Sequence, residues 1–165
     1  PVRIVVLGVG NVLYTDEGVG VRAVDEIARR YELPPEVELI DGGTSGMELL
    51  DVLAGADRLL IIDAVASGAP PGTIVRLEGD AVPRFFTTKL SPHQVGLCDV
   101  LAALSLMEAS PGETVIIGVE PASLDMAMQL SPTVEAVLPR LLDVVGGELR
   151  RFGVTPRERV AVATA

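Results

Sequence analysis

Arg58-Leu59-Leu60-Ile61-Ile62-Asp63 is the stretch that decides the architecture. Its four consecutive aliphatic residues have the length of a strand and none of the alternation of a half-solvated one. Such a run fits a central parallel strand whose sheet is covered by helices on both faces. Its last residue is a carboxylate, placed where parallel sheets gather their functional groups, at the carboxyl ends of the strands.

Similar segments lie on either side. Val2–Leu7 and Val37–Ile40 precede it as strands, and Thr114–Val119 follows as another. Between them the period changes to that of helices. One helix is expected from Glu17 to Tyr31, with Val24, Ile27, Ala28 and Tyr31 on one face, and a short one passes through Met47, Leu50 and Leu53. A third begins at Ser91-Pro92 and runs to about Glu108, burying Leu97, Leu101 and Leu104. A last one opens at Ser131-Pro132 and packs Val134, Val137, Leu138, Leu141 and Val145. Ser67 to Gly72 is too short for a crossover helix, so Thr73–Leu77 should be an antiparallel edge strand. Asp80 to Leu90 reads as a loop. The expected fold is three-layer α/β: a twisted, mostly parallel sheet of about five strands, helices on both faces, one antiparallel edge strand. A right-handed path gives the order 2-1-3 for the first three strands, which makes the first and third neighbours. Residues 1–153 form one domain, and 154–165 read as a loosely ordered tail.

Composition narrows the function. The 165 residues are 48% hydrophobic but only 3% aromatic, so the core is aliphatic. A formal charge of −10 argues against nucleic acid and anionic membrane as partners. One cysteine, Cys98, cannot form an internal disulfide, and no signal peptide or membrane span is read; both suit the cytoplasm. No exposed apolar helix face demands a dimer, so a monomer is expected.

The only histidine stands in Ser91-Pro92-His93-Gln94. Ser91 and Gln94 form a capping box, and Pro92 fits the first helical position. His93 therefore sits in the first turn, where the positive end of the helix dipole should keep its ring neutral, the form that binds metals. Asp63 ends an apolar strand and is expected to be desolvated, which calls for a partner or a raised pKa. Glu17 follows the first strand through Gly8-Val9-Gly10-Asn11, and the strand order brings it toward Asp63. One imidazole and two carboxylates leave coordination positions open and suit divalent transition metals. The same loop does not read as a dinucleotide fingerprint: Leu13 stands where the third glycine belongs, and Asp16 and Glu17 would repel a phosphate. Asp16 itself reads as an N-cap, and Gly18 and Gly20 as residues that permit close packing.

Val6-Leu7-Gly8-Val9-Gly10-Asn11-Val12-Leu13, Asp16-Glu17-Gly18-Val19-Gly20, Asp41-Gly42-Gly43-Thr44, Asp63-Ala64 and Ser91-Pro92-His93-Gln94 occur in that order. Together they closely resemble the nickel–iron hydrogenase maturation proteases. The likeness runs from residue 2 to about residue 145, and Asp16-Glu17 resembles the branch serving uptake hydrogenases. It implies an endopeptidase that removes a C-terminal extension from the hydrogenase large-subunit precursor after nickel insertion. The resemblance carries the metal-binding and catalytic roles to Glu17, Asp63 and His93. It places the loop Asp41, Gly42, Gly43 and Thr44 beside the cleft as a substrate-binding element. Nickel would come with the precursor, and other divalent ions could take its place. Two mechanisms stay open: metal-activated water, or Asp63 as general base. A non-enzymatic nickel chaperone or sensor is the alternative function.

Other residues carry less. Cys98 reads as a small buried apolar group. Met126 and Met128 either line a groove for the extension or fill gaps in the core. Tyr14 and Phe85-Phe86 flank the cleft as substrate contacts or as loop anchors.

Overall fold

The computed structural model describes residues 2–86 and 91–160. In chain order its elements are β1 (Ile4–Val9), α1 (Val19–Arg30), β2 (Tyr31–Glu32), β3 (Val37–Gly43), α2 (Leu50–Leu53), β4 (Arg58–Ala64), β5 (Ile74–Glu78), α3 (Ala81–Phe85), α4 (Pro92–Leu106), β6 (Glu113–Val119), α5 (Pro132–Arg151) and β7 (Arg157–Glu158). Short 3₁₀ turns at Thr15–Gly18 and Met47–Leu49 lead into α1 and α2.

Five strands form one sheet in the order β3-β1-β4-β6-β5. The pairs β1–β3, β1–β4 and β4–β6 are parallel, and β5 runs antiparallel to β6 at the edge. The expected fold class and strand order both hold. Each central strand is buried on both faces, so alternate residues feed two cores. Ile4, Val6, Leu60, Ile62, Val115 and Ile117 pack against α1 and α5. Val5, Leu7, Leu59, Ile61 and Ile116 pack against α2, α3 and α4.

Where β1 crosses α1, the backbones leave no room for side chains. A Cβ on Gly8 would lie 2.3 Å from the Gly20 carbonyl oxygen, and one on Gly20 would lie 2.0 Å from that of Ile62. This contact draws the start of α1 against the ends of β1 and β4, which sets where Glu17 can reach.

Several expectations need correction. The buried face of α1 runs through Val19, Ala23, Val24 and Ile27, and Ala28 faces solvent. Asp80–Leu90 is not all loop, because α3 occupies Ala81–Phe85 and buries Val82. Phe85 and Phe86 meet edge to face at 5.1 Å and pack on the second core, so they are anchors; residues 87–90 lie outside the described residues. The segment after Gly153 packs further than expected. Val154 is buried in the first core, and Arg157–Glu158 pairs antiparallel with Tyr31–Glu32. Residues 161–165 of that tail lie outside the described residues. No helix among the described residues is long and apolar enough to cross a membrane.

Candidate active site

Three elements deliver the side chains: the 3₁₀ turn after β1 carries Glu17, the end of β4 carries Asp63, and the first turn of α4 carries His93. The structure brings all three together. His93 Nε2 lies 3.1 Å from both oxygens of Asp63, and Nδ1 lies 2.9 Å from Glu17 Oε1. The Ser91 hydroxyl also reaches Nδ1, at 2.9 Å. Gly10 makes the approach possible. It has a positive φ of 125°, and a Cβ there would sit 1.8 Å from the Glu17 carbonyl oxygen and 3.6 Å from Asp63 Oδ1.

Burial falls along this chain of contacts. The side chains of Asp63 and His93 are 2% and 3% exposed, and that of Glu17 is 19% exposed. Asp63 is held from every side: the Ala64 N–H donates to Oδ1 at 2.8 Å and Gln94 Nε2 to Oδ2 at 2.8 Å. Gln94 also donates to the Ala64 carbonyl at 3.1 Å, and its own oxygen accepts from the Ser91 N–H at 3.1 Å. The capping box was legible in the sequence. That its glutamine also grips the buried carboxylate was not.

Burial alone would push His93 down, but the hydrogen bonds and charges of Asp63 and then Glu17 outweigh it and hold the ring above its usual 6.5. Burial pushes Asp63 above the usual carboxylate value, and the bonds from His93, Gln94 and the Ala64 N–H offset only part of that. Both groups therefore hold a proton more tightly than they would in water. The helix dipole was expected to lower the ring's pKa; two carboxylates in contact with the ring shift it the other way.

The three side chains form a hydrogen-bonded chain with the imidazole in the middle, one carboxylate on each nitrogen. No single point then lies within the 2.0–2.3 Å bonding reach of all three. Among the described residues no group of three or more His, Cys, Asp or Glu side chains is arranged to hold a metal ion. In this arrangement the set is a hydrogen-bonded carboxylate–imidazole–carboxylate chain.

The loop at Asp41–Thr44 lies next to this site. The Gly10 N–H donates to the Gly43 carbonyl at 2.8 Å, and Gly42 is buried against Leu7 and Gly8. Gly43 takes a positive φ of 47°, which turns the chain at the sheet edge.

Asp16 is not an N-cap. It is fully buried, and its Oδ2 accepts from the N–H groups of Ala122 and Ser123 at 2.9 and 3.0 Å and from the Ser131 hydroxyl at 2.8 Å. Its Oδ1 accepts from the Ser131 N–H at 2.8 Å. These bonds tie residues 122–131 to the turn that carries Glu17. No local sequence signal could have found them, since the partners lie more than a hundred residues downstream. The strapping continues along the backbone: Thr15 N–H donates to the Ala127 carbonyl at 2.9 Å, and Ala127 N–H to the Leu13 carbonyl at 3.0 Å. Met126 and Met128 are 78% and 65% exposed, so they do not fill the core. Cys98 is half-buried rather than enclosed.

Residues 21–148 match the HycI family, described as hydrogenase maturation protease. The chain is 49% identical over 161 residues to hydrogenase 2 maturation protease of Escherichia coli K12, covering 96% of this chain and 98% of that protein. It is 42% identical over 161 residues to the hydrogenase expression/formation protein HupD of Bradyrhizobium diazoefficiens, covering 96% and 84%. The hydrogenase maturating endopeptidase HybD from E. coli superposes with a TM-score of 0.92 over 95% of this chain and 98% of that one, at 49% identity. A [NiFe] hydrogenase maturation protease HybD from Thermococcus kodakarensis superposes with a TM-score of 0.74 over 88% and 98%, at 25% identity.

Proposed function

The chain belongs to the hydrogenase maturation protease family and is a peptidase; from that premise we propose that it removes the C-terminal extension of a nickel-loaded [NiFe] hydrogenase large-subunit precursor, in the cytoplasm, with Glu17, Asp63 and His93 as its working residues. The observation that carries this is the contact of Glu17 and Asp63 with opposite nitrogens of His93. Nickel enters as part of the substrate. Recognition of that ion by all three residues needs Glu17 to leave Nδ1, and Glu17 is the least buried of them.

The chain's own groups divide the remaining work. Asp63, with both oxygens engaged and 1% exposed, orients the imidazole. Glu17 is the carboxylate within reach of solvent, so the general-base role passes from Asp63 to Glu17. His93, whose protonated form is favoured, is the group suited to give a proton to the departing amide nitrogen. The Asp41–Thr44 loop, joined to the site through Gly10, supports a role in positioning the peptide.

The test is incubation with purified nickel-loaded precursor and mass spectrometry of the products. One shortened large subunit and one released peptide are expected, both lost in Glu17→Ala, Asp63→Ala and His93→Ala. Metal retained or transferred without any cleavage would make the protein a nickel chaperone and end this reading.

A further inference from the structure

His93 Nδ1 has two partners where one would satisfy it: Glu17 Oε1 and the Ser91 hydroxyl, each at 2.9 Å. A ring nitrogen offers one hydrogen or one lone pair. The two partners differ in what they can do. An ionised carboxylate only accepts, so Glu17 suits Nδ1 solely while that nitrogen carries a hydrogen. A hydroxyl accepts or donates as its O–H turns, so Ser91 suits Nδ1 in either form.

They also differ in how they are held. Glu17 comes from another element, 76 residues away along the chain, and its side chain is 19% exposed. Ser91 stands two residues before His93, at the start of the same helix. Pro92 confines it to extended backbone, and it takes φ −71° and ψ 162°. Its N–H is bonded to Gln94 Oε1 at 3.1 Å, and Gln94 in turn holds Asp63. Ser91 therefore moves with the imidazole, whereas Glu17 can part from it. A ring bonded only at Nε2, by Asp63, could pivot about that contact, and a second bond at Nδ1 fixes its plane. With Glu17 turned away and no hydroxyl present, the Nδ1 of an almost enclosed ring would have no partner, which is costly.

We propose that Ser91 is a positioning residue of the site: its hydroxyl keeps the His93 imidazole in place when Glu17 leaves Nδ1 for the metal ion of the substrate. This rests on the peptidase reading above, in which that departure is required. Ser91 touches neither the ion nor the peptide; it acts through His93 alone.

His93 is the only histidine in the chain, so one set of imidazole signals reports on it. The experiment records NMR spectra of the nitrogen-labelled ring in metal-free wild type, Ser91→Gly, Glu17→Ala and the double variant Glu17→Ala/Ser91→Gly. Glycine is an N-cap almost as good as serine, so the helix start survives loss of the hydroxyl. While Glu17 is present, Ser91→Gly should change the ring signals little. In the Glu17→Ala background it should shift the Nδ1 resonance and broaden the ring signals about twofold or more. A double variant whose spectrum is the sum of the two single changes would overturn the proposal, since a capping role alone predicts that sum. Cleavage of nickel-loaded precursor is measured alongside. Ser91→Gly should lower kcat about tenfold at unchanged KM, and Ser91→Thr, which keeps a hydroxyl, should recover most of the loss. A kcat in Ser91→Gly equal to that of wild type would also overturn the proposal. Wild type that does not cleave would end the peptidase reading, and the ring spectra would still decide whether Ser91 holds the imidazole.

Discussion

Gln94 Nε2 donates to Asp63 Oδ2 at 2.8 Å, so the residue that caps α4 also fixes the buried carboxylate behind His93. One amide serves the helix start and the site together. Gln94→Ala should lower stability by about 2 kcal/mol, because it removes a donor to a buried charged acceptor. Gln94→Glu should be worse, since it faces Asp63 with a second carboxylate. Urea unfolding of the three proteins measures both, and a more stable Glu variant would contradict the assigned contact.

Asp16 should be intolerant of change. Asp16→Ala leaves partly buried N–H groups on Ser123 and Ser131 without their acceptor and should cost about 2 kcal/mol. Hydrogen exchange should speed up across residues 122–131 while the amides of β4 keep their protection. A shift confined to α1 would instead return Asp16 to a capping role.

The site makes the protein less stable as pH rises. His93 has its folded pKa above 6.5, so the stabilisation from its pairing is complete below 6.5 and is lost as pH climbs through the folded value. Asp63, also raised, acts in the same direction in its own window above 3.8. Glu148 is the opposite case. Arg76 and Arg151 lower it against the effect of burial, so its contribution is present above 4.5 and is lost on acidification. Denaturation of metal-free protein in chelator should show a decline above pH 6.5 that His93→Gln removes.

Gly20→Ala should be among the most damaging single-atom additions, at about 3 kcal/mol. Its Cβ would meet backbone oxygens of Ile62 and Val9, which have no flexible end to move aside. A thermal melt close to wild type would show that the crossing can open.

The sheet, its order and the start of α4 were legible because they rest on local signals: the apolar run 58–63, the turn-rich stretch 67–72, and Ser91-Pro92 with Gln94. The three candidate site residues were legible as types at strand and helix ends, and the family resemblance brought them together. What escaped was set by partners distant in sequence. His93 was read from its own helix dipole, whereas Asp63 and Glu17 lie 30 and 76 residues away. Met126 and Met128 sit in a segment with no periodicity, so nothing local told exposed from buried. The pairing of Arg157–Glu158 with Tyr31–Glu32 is too short to leave a strand pattern.

The bonds from Asp16 to Ser131 also set the order of events during synthesis. The turn bearing Glu17 is synthesised 115 residues before its anchor, the N-cap of α5. One aspartate thus ties the turn before α1 to the start of α5.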